Sequence, residues 1–202
     1  MPRLTLAALA VAGLLAACSL GRPALPVSYY GIEPTPPPRA SAEARRPESL
    51  RVGQVRVAAS YAGAELVYRI DEVRFVTDFY HRLIAPPGPM LGNAMAEWLD
   101  TAGPLRLVSA PGSAVPTRYI LDVTVNDLYG DFRPGRPPQA VLRLQAALLD
   151  STAAGLPAVF ERSVERRIDL PAASPEALVL GYSRALEAAL IELRPQIAQA
   201  LD

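Results

Sequence analysis

Tyr119-Ile120-Leu121-Asp122-Val123-Thr124-Val125-Asn126 decides the fold. Leu121, Val123 and Val125 fall on one side of an extended chain, and Asp122, Thr124 and Asn126 fall on the other. A period of two with one apolar side describes a strand that buries one face and wets the other. The same period recurs downstream in Leu142, Leu144, Ala146 and Leu148, and a third run near Ala158 to Ile168 carries Phe160, Val164 and Ile168. Arg133-Pro134-Gly135-Arg136-Pro137-Pro138 separates the first two runs, and Asp150 to Pro157 separates the last two. Both connections are rich in turn formers, so the three runs predict an antiparallel meander.

Working outward, shorter strands precede the meander. Leu66, Tyr68 and Ile70 alternate with Val67 and Arg69, and Val73 and Phe75 alternate with Arg74 and Val76 beyond an Asp71-Glu72 corner. From Leu50 to Ala58 the apolar parity shifts across Gly53-Gln54, which predicts a β-bulge. Leu105 to Val108 is a further strand. Two segments change to helical spacing. From Pro89, the residues Leu91, Met95, Trp98 and Ala102 recur every three or four positions and stop at Gly103-Pro104. Ser174, Pro175 and Glu176 open a final helix in which Tyr182, Leu186, Leu190, Leu193, Ile197 and Leu201 share a face, with a kink expected at Pro195. The sum is an α+β fold: a mixed, largely antiparallel sheet with two helices packed on one face.

The amino terminus has a different character. Arg3 precedes an apolar stretch from Leu4 to Ala17, 14 residues, shorter than the roughly 20 that cross a bilayer. Small residues lead to Cys18, the sole cysteine, in Leu15-Ala16-Ala17-Cys18. This is a secretory signal, and its end resembles the bacterial lipoprotein signal, which implies cleavage before Cys18 and acylation of its thiol, palmitate included. Residues 1–17 are then a signal peptide and 18–28 a lipidated tether, about 35 Å long if extended at roughly 3.3 Å per residue. Residues 29–202 form a single α+β domain, with Tyr29 to Ile32 as its first strand and a proline-rich linker at 34–48. By analogy with enteric-type bacteria, Ser19 after the cysteine points to the outer membrane rather than the inner. With Cys18 committed to lipid, neither a disulfide nor a cysteine metal site can form.

Composition narrows the function. The 20 cations are all arginine and are balanced by 20 acids, so no broad field for nucleic acid exists. Gly181-Tyr182-Ser183-Arg184-Ala185 looks like a nucleophile elbow lacking its last glycine, but Ser183 falls within the final helix and the one histidine, His81, lies upstream. Phosphate-binding and dinucleotide glycine loops are absent, and Asp122, Asp127 and Asp131 are too widely spaced for a calcium loop. The chain is expected not to be an enzyme and to carry no cofactor beyond the lipid on Cys18. Two aromatic segments remain, Tyr68-Arg69 and Asp78-Phe79-Tyr80-His81-Arg82-Leu83-Ile84. Tyr68, Arg69, Phe79 and Tyr80 are the candidate partner-binding residues, because aromatics and arginine concentrate at interface centres. Packing of a strand edge and a strand-to-helix corner competes with that assignment.

Taken in order, these pieces resemble the ABC-type transport auxiliary lipoprotein family. The residues that carry the resemblance begin with Tyr29-Tyr30-Gly31-Ile32-Glu33, Leu50-Arg51-Val52 and Leu66-Val67-Tyr68-Arg69. Thr77-Asp78-Phe79-Tyr80, Leu99-Asp100-Thr101-Ala102-Gly103, Tyr119-Ile120-Leu121-Asp122-Val123 and the alanine-rich last helix follow. The resemblance implies a non-enzymatic outer-membrane lipoprotein facing the periplasm. It would dock or support an MCE-domain protein whose ABC permease and ATPase drive lipid transport, and self-association is left open. Two other functions fit the same architecture: a lipoprotein that assists β-barrel assembly, and one that binds lipid or solute in its own pocket.

Overall fold

The computed structural model describes residues 26–39, 41 and 45–201; the signal segment, Cys18 and most of the tether lie outside them. In chain order the elements are β1 (Ser28–Tyr30), β2 (Arg46–Val52), β3 (Arg56–Val57), a 3-10 turn (Ala59–Tyr61), β4 (Glu65–Arg69), β5 (Phe75–Leu83), α1 (Pro87–Ala102), β6 (Leu105–Ser109), β7 (Tyr119–Asp131), β8 (Gln139–Asp150), β9 (Ala158–Asp169) and α2 (Pro175–Ala200).

β7 is the axis of the sheet. Its inward residues Leu121, Val123 and Val125 are buried, as their spacing predicts. β8 runs antiparallel beside it from Tyr119↔Asp150 to Asp131↔Gln139, and β9 returns antiparallel beside β8. The two turns of this meander place Gly135 and Gly155 at positive φ, 78° and 84°, where a side chain would be strained. On its other flank β7 meets three short parallel strands laid end to end: β2 at Leu121, β3 at Thr124 and Val125, and β4 at Gly130 and Asp131. Parity shifts between the first two because Val52 faces Leu121 while Arg56 faces Thr124, one residue too many. The expected bulge is therefore a break: β2 ends, the Gly53 amide still donates to the Leu121 carbonyl at 2.9 Å, and pairing resumes at Arg56. Outside these, β6 adds parallel to β2, β5 antiparallel to β4 and β1 parallel to β5. The mixed sheet has nine strands. Boundaries moved: Phe79 to Leu83, expected at a strand-to-helix corner, belong to β5, which starts at Phe75 and leaves out Val73, and the first strand, expected over Tyr29 to Ile32, spans Ser28–Tyr30.

Both helices cover the same face. α2 lies over β8 and β9, and α1 over β2 and β6. Leu178, Tyr182, Leu186, Leu190, Leu193 and Ile197 from α2 and Leu91, Met95, Trp98 and Leu99 from α1 meet the inward side chains of β7 and β8 in one core. The Ser174 hydroxyl accepts the Ala177 amide at 3.2 Å, capping α2, and the helix runs through Pro195 to Ala200. The start of the proline-rich segment docks on this layer. Ile32 is buried, the Glu33 amide donates to Ser183 Oγ at 3.0 Å, and Trp98 Nε1 donates to the Thr35 carbonyl at 3.2 Å. At its far end Arg46 to Glu48 join β2. The opposite face of the sheet is wet, with Arg56 paired to Asp122 at 3.0 and 2.7 Å and a small apolar cluster of Val67, Tyr129 and Val141 at one end.

Gly181 explains how closely α2 approaches the sheet. A Cβ there would stand 2.5 Å from Leu170 Cδ2 and 2.6 Å from Ala140 Cβ, well inside contact distance. Gly181→Val is expected to destabilise the fold by about 1–3 kcal/mol through overpacking, measured by denaturant unfolding. An unchanged midpoint would show that the helix lifts at no cost.

Candidate functional site

The site is built around a distortion in β5. Leu66 on β4 faces Asp78, but the next residue back, Glu65, faces Arg82. One step on β4 is thus matched by four on β5, and Phe79, Tyr80 and His81 are pushed out of that ladder. A bulge of this kind re-aims side chains. Asp78 holds it in shape. Its Oδ1 accepts the amides of Tyr80 at 2.9 Å and His81 at 3.1 Å. Its Oδ2 accepts the Tyr68 hydroxyl at 2.8 Å and lies 2.8 Å from His81 Nδ1. Tyr68 is itself fixed by stacking on Phe132, with ring centres 5.0 Å apart.

The product is a pair of displayed aromatics. Phe79 is 66% exposed and Tyr80 41%, and their rings meet edge to face at 5.4 Å. Tyr29 on β1 and Ile84 beyond β5 are exposed as well. The Tyr30 hydroxyl donates to Glu176 Oε1 at 2.8 Å, tying β1 to the start of α2. Two large apolar side chains held outward by a half-buried carboxylate are an arrangement suited to binding, since their order is set before a partner arrives.

The four candidate residues divide. Asp78 brings Tyr68, Phe79 and Tyr80 together, with Tyr68 as support and the other two as surface. Arg69 lies apart at the β4–β5 turn, where its Nε donates to the Asp71 carbonyl at 3.2 Å and its Nη2 to the Glu72 carbonyl at 2.6 Å. Its guanidinium also sits 5.7 Å from the Phe75 ring centre. The organising residue, Asp78, was not singled out from the sequence; its signal is the habit of aspartate to accept amides two and three residues ahead. Cys18 lies outside the described residues.

Other chemistry finds little support. Ser183 sits within α2, where its hydroxyl donates to the Val179 carbonyl at 3.2 Å and has no histidine within the hydrogen bonds formed. No cluster of three or more metal-binding side chains occurs among the described residues. A hollow of about 440 Å³ lies on the wet sheet face, bordered by Arg56, Asp122, Gln145, Glu161 and Arg162. Its polar walls do not suit acyl chains.

Burial pushes the Asp78 carboxyl up, but the bonds from Tyr68, Tyr80 and His81 outweigh it and hold the group below the usual carboxylate range. Burial and the same bond raise Tyr68. A carboxyl lowered on folding adds stability above its ordinary pKa of about 4, and that contribution is lost as pH falls through the lowered folded value. Asp78→Asn is therefore expected to lower stability at neutral pH and to flatten its decline below about pH 4, in urea melts across pH. Faster hydrogen exchange at the Tyr80 and His81 amides should accompany it.

The family described as ABC-type transport auxiliary lipoprotein component matches residues 30–193. No curated protein matches the chain. Among solved structures, protein XCC0632 from Xanthomonas campestris superposes with a TM-score of 0.71 at 17% identity, covering 86% of this chain and 96% of its own. An uncharacterized protein superposes at 0.66 with 19% identity, covering 85% and 99%. The protein CT253 from Chlamydia trachomatis reaches 0.51 at 9% identity, covering 74% and 96%. These likenesses show a shared fold. The match over most of the described domain shows more: this chain belongs to the ABC-type transport auxiliary lipoprotein component family.

Proposed function

We propose that this protein is a non-catalytic, lipid-anchored docking subunit, held at the periplasmic face of the outer membrane through Cys18, that supports an MCE-type ABC lipid-transport system. Family membership supports the link to transport and to a lipid anchor. The observation that carries the docking role is the Phe79–Tyr80 pair, exposed yet held by Asp78. It projects from the strand that receives β1, at the side of the domain where the chain from Cys18 enters. The anchor sets location, residues 18–28 set reach, and the aromatic pair meets the MCE-domain protein, with permease and ATPase beyond it. No ligand-binding step falls to the domain in this mechanism.

Photocrosslinking in intact cells tests it, with the probe at Phe79 or Tyr80 and a control probe at Gln145 on the wet face. An MCE-domain protein captured from the first two positions, lost in Cys18→Ala, is the expected result. Phe79→Ala combined with Tyr80→Ala should weaken capture about 30-fold, the size of one hot-spot truncation, without unfolding the domain. Capture of a single β-barrel protein instead would make this an assembly factor.

A further inference from the structure

The sheet has unequal edges. Among the described residues β9 pairs only with β8, and its length carries Glu161, Arg162, Glu165, Arg166, Arg167 and Asp169. Charges of this density oppose the addition of another strand. β6, the opposite margin, has five residues, one of them Arg106. β5 is guarded by neither charge nor length. From Phe75 to Asp78 it is paired with β4 on one side, and among the described residues nothing pairs with Phe75 to Phe79 on the other. Phe75, Val76 and Phe79 are exposed there. The carboxylate of Asp78 is taken up by Tyr68, His81 and two amides, so the edge offers no free charge.

The same edge already accepts a strand. β1 adds parallel to β5 from Ser28↔His81 to Tyr30↔Leu83, and the Ile84 amide donates to the Tyr30 carbonyl at 2.9 Å. Upstream the chain abandons it. Val27 and Pro26 make no ladder with Tyr80 and Phe79, and Pro26 has no N–H to give. The paired edge therefore continues, beyond the bulge, into an unpaired one.

Resting on the docking role above, we infer that the partner binds by strand addition: an uncharged, extended segment of the transport protein, about five residues long and apolar, pairs along β5 from Phe75 to Phe79. Main-chain hydrogen bonds supply the affinity and side-chain neighbours the selectivity. Phe75 and Thr77 lie on one face of β5 and Val76 on the other, so the incoming strand meets apolar side chains on both. Phe79 and Tyr80 close the far end of the segment as anchors, and a charged residue opposite Val76 would be refused.

The test uses the full-length lipoprotein in its membrane, with photocrosslinkers placed singly at Phe75, Thr77 and Phe79 and the captured residues mapped by mass spectrometry. Strand addition predicts one partner segment whose captured positions advance by about two residues from Phe75 to Thr77. Val76→Lys should cut capture at all three sites at least tenfold, while Gln145→Lys leaves it unchanged. Capture at Phe79 with scattered positions or none at Phe75 and Thr77 would overturn strand addition and leave docking standing. Capture of residues 19–25 of the same chain would overturn it too, by showing the edge covered from within. Capture of no transport protein anywhere would remove the docking role and this inference together.

Discussion

Pairing along the whole of β7 is the constraint on which the rest depends. Twelve of its thirteen residues pair with β8 on one flank, with a bulge at Asn126, and on the other flank three strands each satisfy a part. Buried backbone groups must find partners, and at the breaks single amides continue the pairing: Gly53 donates to the Leu121 carbonyl and Ala58 to the Val125 carbonyl, each at 2.9 Å. Those breaks let the chain leave the sheet at different heights. β6 can then sit beside β2 at one end while β5 and β1 sit beside β4 at the other. The display of Phe79 and Tyr80 is a late product of this division: without a separate β4 there would be no short antiparallel partner for β5 to bulge against.

What the sequence disclosed follows from the range of the interactions. The meander was legible because Leu121, Val123 and Val125 and their counterparts in β8 obey a local period, and α2 was legible from Ser174, Pro175 and an apolar stripe. The parallel pairing of β2, β3 and β4 with β7 was not, since contacts such as Tyr68 with Gly130 span some sixty residues and leave no short-range trace. The β5 boundary was mistaken for a related reason. His81-Arg82 breaks the apolar alternation, because Arg82 pairs with Glu65 across the strands at 2.8 Å and His81 leans on Asp78. Of the candidate surface, Phe79 and Tyr80 could be named from composition, whereas Asp78, which accepts the Tyr80 and His81 amides, acts through geometry that a linear pattern hides. Gly181 reversed its apparent meaning: half of a motif associated with nucleophiles proved to be clearance for Leu170 and Ala140.

The molecule keeps its polar chemistry for structure. Arg133 is bound to the buried Asp131 at 2.6 and 2.8 Å and reaches Glu72 at 2.8 Å, so the end of β7 is locked to the β4–β5 turn. Arg166 and Arg162 share Glu192 and tie β9 to α2. An all-arginine complement suits such forked contacts. Ion pairs so placed stiffen the frame, while Phe75, Val76, Phe79 and Tyr80 of β5 stay exposed.

The short strand β1 has a mechanical consequence. It is the described element nearest the tether, its bonds to β5 lie side by side along one axis, and the chain beyond it is pinned by buried Ile32. Tension drawn along that axis from the membrane is shared among those bonds in shear instead of peeling them singly, and what remains is borne by the helix layer through Glu33 and Thr35. The fold thus takes up load at the edge from which Phe79 and Tyr80 project, so a pull between membrane and partner would pass through one corner of the domain and spare the long ladders of β7, β8 and β9.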